Sequence, residues 1–144
     1  MPKKFYTSLP ASYAACQHGD CPMAETCLHQ IAYTELLAKE EFLRLLNPGR
    51  CSKDDQCKYY RSNEPVVYAR GFAHFQKRMF PEQYARFSAM LIDRFGRNAY
   101  YERRRGDTAL PPKEQRIVLD ALKKAGVTEE LKFESYEENM NWYD

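Results

Sequence analysis

The sequence predicts a mainly α protein, a single small helical domain with an N-terminal cysteine-bound metal site. Two observations favour this fold. Apolar residues recur at helical spacing in segments that begin at proline and end at glycine. All five cysteines of the 144-residue chain also lie within its first 57 residues. The content of 11 Tyr, 8 Phe and 1 Trp argues against disorder, because chains this aromatic can bury a core.

The elements follow from local signals. Residues 1–21 contain turn formers without periodicity and are expected to form a loop. Helices are predicted over 22–46, ended by Pro48 and Gly49; over 81–95, ended by Gly96; over 98–105, capped by Asn98 and closed by Gly106; and over 112–125, closed by Gly126. After Pro65 the chain begins a helix or a short strand, and the spacing of the apolar residues up to Met79 favours helix. Residues 131–144 alternate between aromatic and acidic side chains and show no helical period.

Charge divides the single domain, 1–144, into three parts. Residues 1–62 form the cysteine-containing part, 63–126 a basic helical part and 127–144 an acidic aromatic tail. Residues 61–125 contain fourteen Lys and Arg against seven Asp and Glu, whereas residues 126–144 contain one against six. A basic middle beside an acidic tail indicates a charged partner or pairing within the chain.

The cysteine spacing predicts one metal ion bound by Cys16, Cys21, Cys27 and Cys57. A structural zinc site takes four ligands in a tetrahedron, usually from two loops. Cys57 lies further than Cys51 along the return path from the first helix, so Cys51 is the expected spare. Zinc is the first choice and an iron–sulfur cluster the alternative, because thiolates bind both. Two alternatives stay open: buried structural thiols without a metal, and replacement of one cysteine by His18 or His29.

The basic segment predicts contact with nucleic acid, since arginine binds phosphate and guanine through paired hydrogen bonds. Its candidate binding residues are Arg97, Asn98, Tyr100, Tyr101, Arg103, Arg104 and Arg105. The alternative is a solvated helix end, where cations suit the helix dipole. Residues 81–126 resemble repressor-type helix-turn-helix domains in Gly96, the Arg103–Gly106 ending and the link through Pro111 and Pro112. This resemblance implies a helix-turn-helix-like C-terminal half, although only one helix, rather than two, precedes the basic one.

The whole chain also resembles a family of small uncharacterised bacterial cysteine-containing proteins, a domain of unknown function. The shared features are the spaced cysteines, the segment Cys57–Arg61, the Tyr100-Tyr101 pair before Arg-Gly, Pro112 with Glu114 and Gln115, and the ending from Tyr136 to Trp142. The resemblance supports Cys57 over Cys51 as a ligand and implies no activity.

The expected function is non-enzymatic, because the chain lacks the zinc deaminase, metalloprotease and phosphate-loop motifs. We expect a cytoplasmic protein, since no signal peptide or membrane span is evident in the sequence. The first hypothesis is a metal-stabilised protein that binds DNA through residues 97–105. The alternatives are an adaptor that binds another protein through residues 131–144, and an iron–sulfur redox or sensor protein. The oligomeric state stays open.

Overall fold

The protein is described by a computed structural model over residues 9–143. Within that range it forms four α-helices and one two-stranded antiparallel sheet: α1 (Leu28–Leu37), α2 (Pro81–Phe95), α3 (Arg97–Arg105), α4 (Pro112–Lys124), β1 (Val66–Arg70) and β2 (Ser135–Asn139). Short 3-10 helices cover Pro48–Arg50 and Ala73–Arg78. The fold is therefore mixed α/β, and the predicted mainly α class is wrong.

The fold class was mispredicted because local sequence does not clearly indicate either strand. Val66 and Val67 are β-branched and favour a strand, but the aromatic spacing that follows them favours a helix. Strand β2 exposes its first four residues, so it lacks the alternation of buried and exposed positions that predicts a strand. Its pairing with β1 is a non-local contact that local sequence does not encode.

The chain forms two compact units. Residues 66–138 make up one of them, and its core is rich in aromatic rings. Phe72 lies at the centre, with ring centroids 5.9–6.3 Å from those of Phe75, Phe87, Tyr100 and Phe133. Helices α2, α3 and α4 and strand β1 surround these rings. The buried aromatic cluster fixes the orientation of α3, the predicted nucleic-acid-binding helix.

The residues at which the helices of this unit begin and end agree with the sequence prediction. Pro81 is the first residue of α2, and the N–H of Phe80 donates to Oε1 of Gln83 at 2.9 Å, which caps the helix start. Gly96, with φ +92°, and Gly106, with φ +90°, adopt backbone angles that glycine tolerates best. However, Gly96 alone separates α2 from α3, whereas a helix-turn-helix motif joins its helices through a turn of about three to four residues. The predicted helix-turn-helix-like half is therefore wrong.

The other unit contains residues 9–65 and 139–143. Its core is small: Leu28, Ala32 and Leu36 of α1 pack with Met140 and Trp142. Much of the unit is irregular, and its loops are held together by single backbone pairings rather than by long helices or sheets.

Helix α1 is much shorter than the predicted helix over residues 22–46. It ends at Leu37, and Phe42, which helical spacing places inside, is 86% exposed. The chain beyond it instead pairs with the loop before the helix. The N–H of Ala15 donates to the carbonyl of Arg44 at 2.8 Å, and the N–H of Leu46 donates to the carbonyl of Ala15 at 2.8 Å. This tertiary pairing overrides local helix propensity.

A formed cysteine-bound metal site, the remaining part of the predicted fold class, is likewise not found. Within residues 9–143, no group of three or more His, Cys, Asp or Glu side chains stands in an arrangement that could hold a metal ion. Among the same residues, no helix is long and apolar enough to cross a membrane.

Candidate functional site

All five cysteines line one pocket in the unit of residues 9–65 and 139–143. The side chains that face it include Cys16, Cys21, Cys27, Cys51, Cys57 and His18. The pocket has a volume of about 20 Å³, close to the volume that one water molecule needs. Each cysteine is half-buried and free of disulfides. We call this the thiol pocket.

The loop before α1 positions Cys16. Its N–H donates to the carbonyl of His29 at 2.9 Å, and its own carbonyl accepts from Nε2 of Gln30 at 2.7 Å. Both partners belong to the first turn of α1. Cys16 is therefore fixed to the helix start even though it lies in an irregular segment.

Two further thiols come from the turns between this loop and α1. The N–H of Cys21 donates to the carbonyl of His18 at 3.1 Å, which closes a turn. The Sγ of Cys21 accepts from the N–H of Met23 at 3.4 Å. Cys27 is the N-cap residue of α1 and forms a backbone bridge with Ser62. These bonds bring both side chains to the thiol pocket.

The segment after α1 returns the last two cysteines. A 10-residue helix is only about 15 Å long, so the return is short. The 3-10 turn at Pro48–Arg50 precedes Cys51, whose Sγ donates to the carbonyl of Asn47 at 3.5 Å. The N–H of Cys57 donates to the carbonyl of Asp54 at 3.2 Å. The shortness of α1 thus removes the distance that the sequence interpretation placed between the two cysteine groups.

Cys51, the predicted spare, lies among the other thiols. Burial raises the pKa of the Cys51 thiol, and the nearby thiols of Cys16, Cys57 and Cys21 raise it further. All five cysteines are half-buried, and the alternative of structural thiols without a metal stays open.

His18 also lines this pocket. Its Nε2 atom is buried, and it meets no hydrogen-bond partner in the described part of the chain. Its Nδ1 lies 3.9 Å from Oδ1 of Asp20, whose other oxygen pairs with Nζ of Lys53 at 3.0 Å. His29, the other predicted substitute ligand, is not among the residues that line this pocket: its Nδ1 donates to the carbonyl of Ala14 at 2.6 Å, its ring stacks on that of Tyr13, and burial lowers its pKa.

The predicted nucleic-acid-binding residues lie on α3, where most have partners within the chain. Nε of Arg103 donates to Glu114 at 2.8 Å, Nη2 of Arg104 to Gln76 at 2.7 Å and Nε of Arg105 to Asp107 at 3.0 Å.

The aromatic and polar residues of α3 divide between core and surface. Tyr100 is fully buried, and its hydroxyl lies 3.0 Å from that of Tyr84. Burial, followed by this hydrogen bond, raises the pKa of Tyr100. Tyr101 packs partly buried against the core, with Arg97 over its ring at 5.6 Å. Arg97 and Asn98 are exposed. Of the predicted nucleic-acid-binding residues, Arg97, Asn98 and Arg105 are thus the exposed ones.

The acidic aromatic tail is divided in the same way. Phe133 and Trp142 are buried in the cores of their units, which leaves Tyr136 and Tyr143 half-exposed. Within residues 66–138, Glu129 pairs with Arg78, and Glu137 pairs with Arg70. The tail carboxylates therefore neutralise cations of β1 and the neighbouring 3-10 helix rather than the arginines of α3.

The structure brings Cys51 and His18 to the pocket, although the ligand set predicted from the sequence contains neither. The signal for His18 is its place between Cys16 and Cys21, within one loop of candidate ligands. The signal for Cys51 is the Asn47-Pro48-Gly49 turn directly before it, which points to a sharp change of chain direction.

The fold and the site define a small mixed α/β protein with a pocket lined by thiols. The chain belongs to DUF6078, a family of unknown function, whose model matches residues 1–142. The predicted membership of an uncharacterised family is thereby confirmed. No curated protein and no solved structure matches the chain.

Proposed function

We propose that the thiol pocket binds one Zn²⁺ ion and that this ion stabilises the surrounding unit. One observation carries the proposal: five cysteines line a single small pocket together with His18, whose buried Nε2 has no partner among the described residues. Cysteine and histidine are the preferred ligands of structural zinc.

Binding requires the ligands to close around the ion, because their present arrangement forms no cage. The thiols are half-exposed and belong to loops and turns, so a rotation about χ1 moves a sulfur without disturbing a helix. Each coordinating thiol loses its proton, and the cation offsets the repulsion between the resulting thiolates. This repulsion is the reason that crowded thiols resist ionisation when no metal is present.

A stabilising role suits the unit that contains the pocket. Its main hydrophobic cluster has five buried residues, and most of its chain is irregular. Small units with little core commonly depend on disulfides or a structural metal. Four protein ligands leave no open coordination position, so the proposed site supports folding rather than hydrolysis.

Thiolates bind iron–sulfur clusters as well as zinc, and the ligand types alone fit both. An iron–sulfur protein is therefore the alternative outcome of the metal analysis.

We assign three of the ligands to Cys16, Cys51 and Cys57. Among the neighbouring thiols that raise the pKa of Cys51, Cys16 and then Cys57 have the largest effects, which indicates that these three side chains lie close together. The ligand set predicted from the sequence instead contains Cys27 and leaves Cys51 out. The two assignments make opposite predictions for a pair of Cys→Ser variants.

The test is metal analysis of the full chain purified anaerobically without chelator. We expect about one zinc per chain, no visible absorbance, and a fall in melting temperature after chelation. Cys51→Ser should lower both zinc content and melting temperature. Cys27→Ser is the matched control. It should retain zinc because Cys27 lies outside this assignment, and it should keep α1 intact because serine is a good N-cap.

Two outcomes would count against this proposal. A metal-free protein whose melting is unaffected by chelator would overturn it. Stoichiometric iron with visible absorbance would replace zinc by an iron–sulfur cluster. Binding of nucleic acid by α3, and of another protein by residues 131–144, stay predictions of the sequence.

A further inference from the structure

We infer that His18, through Nε2, is the fourth ligand of the proposed zinc ion, which gives a site of three cysteines and one histidine. This inference rests on the proposed function and specifies its coordination. It departs from the all-cysteine cage that the sequence predicts.

The first argument is the state of the His18 ring. His18 lines the thiol pocket, and its buried Nε2 has no hydrogen-bond partner in residues 9–143. A buried polar atom without a partner carries an uncompensated desolvation cost, and such atoms in folded proteins usually have a partner. A metal ion in the pocket supplies that partner.

The second argument is the group on the opposite side of the ring. Nδ1 faces the carboxylate of Asp20 at 3.9 Å, and Lys53 holds that carboxylate through its other oxygen. A carboxylate on this side favours the tautomer with the proton on Nδ1, which leaves Nε2 as a lone-pair donor. Metal-binding histidines in proteins are commonly oriented by a carboxylate in this way.

The third argument concerns the two remaining thiols. Cys21 accepts a hydrogen bond from the Met23 N–H, which occupies one lone pair of its sulfur. Cys27 is the N-cap residue of α1, and its backbone forms a bridge with Ser62. His18, by contrast, has a ring nitrogen whose hydrogen-bonding capacity is unused among residues 9–143.

The ligand assignment can also be tested on the chain without any substitution. With three cysteines bound to the ion, Cys21 and Cys27 stay free thiols. Alkylation of the zinc-loaded chain with iodoacetamide, followed by peptide mass spectrometry, should modify these two residues, whereas the chelated chain should be modified at all five. Protection of Cys21 or of Cys27 in the loaded chain would overturn the assignment.

The direct experiment replaces zinc with Co²⁺, whose absorption spectrum reports the number of thiolate ligands. We expect the wild-type spectrum to indicate three sulfurs and one nitrogen. His18→Gln should weaken cobalt binding by about 100-fold or more, since loss of even an outer-shell partner costs roughly 10–100-fold. His18→Cys should restore binding with a spectrum of four sulfurs. His74→Gln is the matched control, because His74 lies in the other unit and bonds the carbonyl of Lys132.

The possible failures are distinguishable. If His18→Gln binds cobalt with unchanged affinity and spectrum, and Cys21→Ser abolishes binding, the fourth ligand is Cys21 and the proposed zinc function stands. If the wild-type chain binds neither zinc nor cobalt, both the inference and the proposed function are overturned.

Discussion

Arg103 holds the carboxylate of Glu114 with two nitrogen atoms. Its Nε lies 2.8 Å from Oε1, and its Nη2 lies 3.4 Å from Oε2. Nη1 of the same side chain donates to the carbonyl of Ala99 at 3.2 Å, and the guanidinium lies over the ring of Phe95 at 4.9 Å. Arg103, which the sequence predicts to bind phosphate, thus links α3 to α4.

The first prediction is that Arg103 contributes to stability. Its side chain is 17% exposed and that of Glu114 is 22% exposed, so Arg103→Ala leaves a half-buried carboxylate without its main partner. We expect a loss of about 1–3 kcal/mol in the free energy of unfolding, measured by denaturant titration. Arg105→Ala is the matched control, because its pair with Asp107 is mostly exposed and should contribute less than about 0.5 kcal/mol. Equal effects of the two variants would contradict the structural role of Arg103.

The second prediction separates DNA binding from stability. Arg97 and Arg105 are exposed, so their replacement by glutamine should leave the melting temperature unchanged. If α3 binds duplex DNA, the double variant should lower the slope of log affinity against log salt by about one unit for each phosphate contact removed. Fluorescence anisotropy at several salt concentrations measures this slope. A slope identical to that of the wild type would remove α3 from the list of DNA-binding surfaces.

The third prediction concerns the C-terminal aromatic residues. Trp142 is 4% exposed and lies in the core formed by α1, with its ring centroid 4.9 Å from that of Tyr13. Trp142→Ala should cost about 3–5 kcal/mol, because it removes a large buried side chain from a small cluster. Tyr143→Ala changes a side chain that is 54% exposed and should have a much smaller effect. A mild effect of Trp142→Ala on thermal melting would instead favour the adaptor hypothesis, in which this residue binds a partner.

The fourth prediction is a pH effect at the Arg78–Glu129 pair. Hydrogen bonds and the charge of Arg78 lower the pKa of the Glu129 carboxyl below its ordinary value. The folded state therefore favours the ionised form. The resulting contribution to stability is present above the ordinary pKa of glutamate and is lost as the pH falls through the lowered value. NMR titration should show the pKa of Glu129 rising toward its ordinary range in Arg78→Gln, and no change in that variant would contradict the pairing.

The accuracy of the sequence interpretation follows the range of the interactions involved. Helices α2 and α4 match prediction closely, because Pro81, Gly96 and Pro112 act on their own neighbours in the chain. The end of α1 was missed, because it depends on Ala15 pairing with the segment around Leu45. The sheet was missed because β2 has no periodic burial of its own.

The same distinction applies to the thiol pocket. Clustering of the cysteines along the chain indicated a shared site, and the structure places all five around one cavity. Which of them approach one another depends on tertiary geometry, because a short α1 and the turn at Pro48–Arg50 bring Cys51 to Cys16. The buried Nε2 of His18 is also a property of the folded loop, which spacing alone does not reveal.

The unit that begins near the N-terminus is completed by residues 139–143. Its core includes Met140 and Trp142, which follow the whole of the other unit in the sequence. On the ribosome, the cysteine segment therefore emerges long before the side chains that cover α1. Until residues 139–143 are synthesised, the apolar face of α1 lacks these partners, so early binding of the proposed metal ion would stabilise this segment during synthesis.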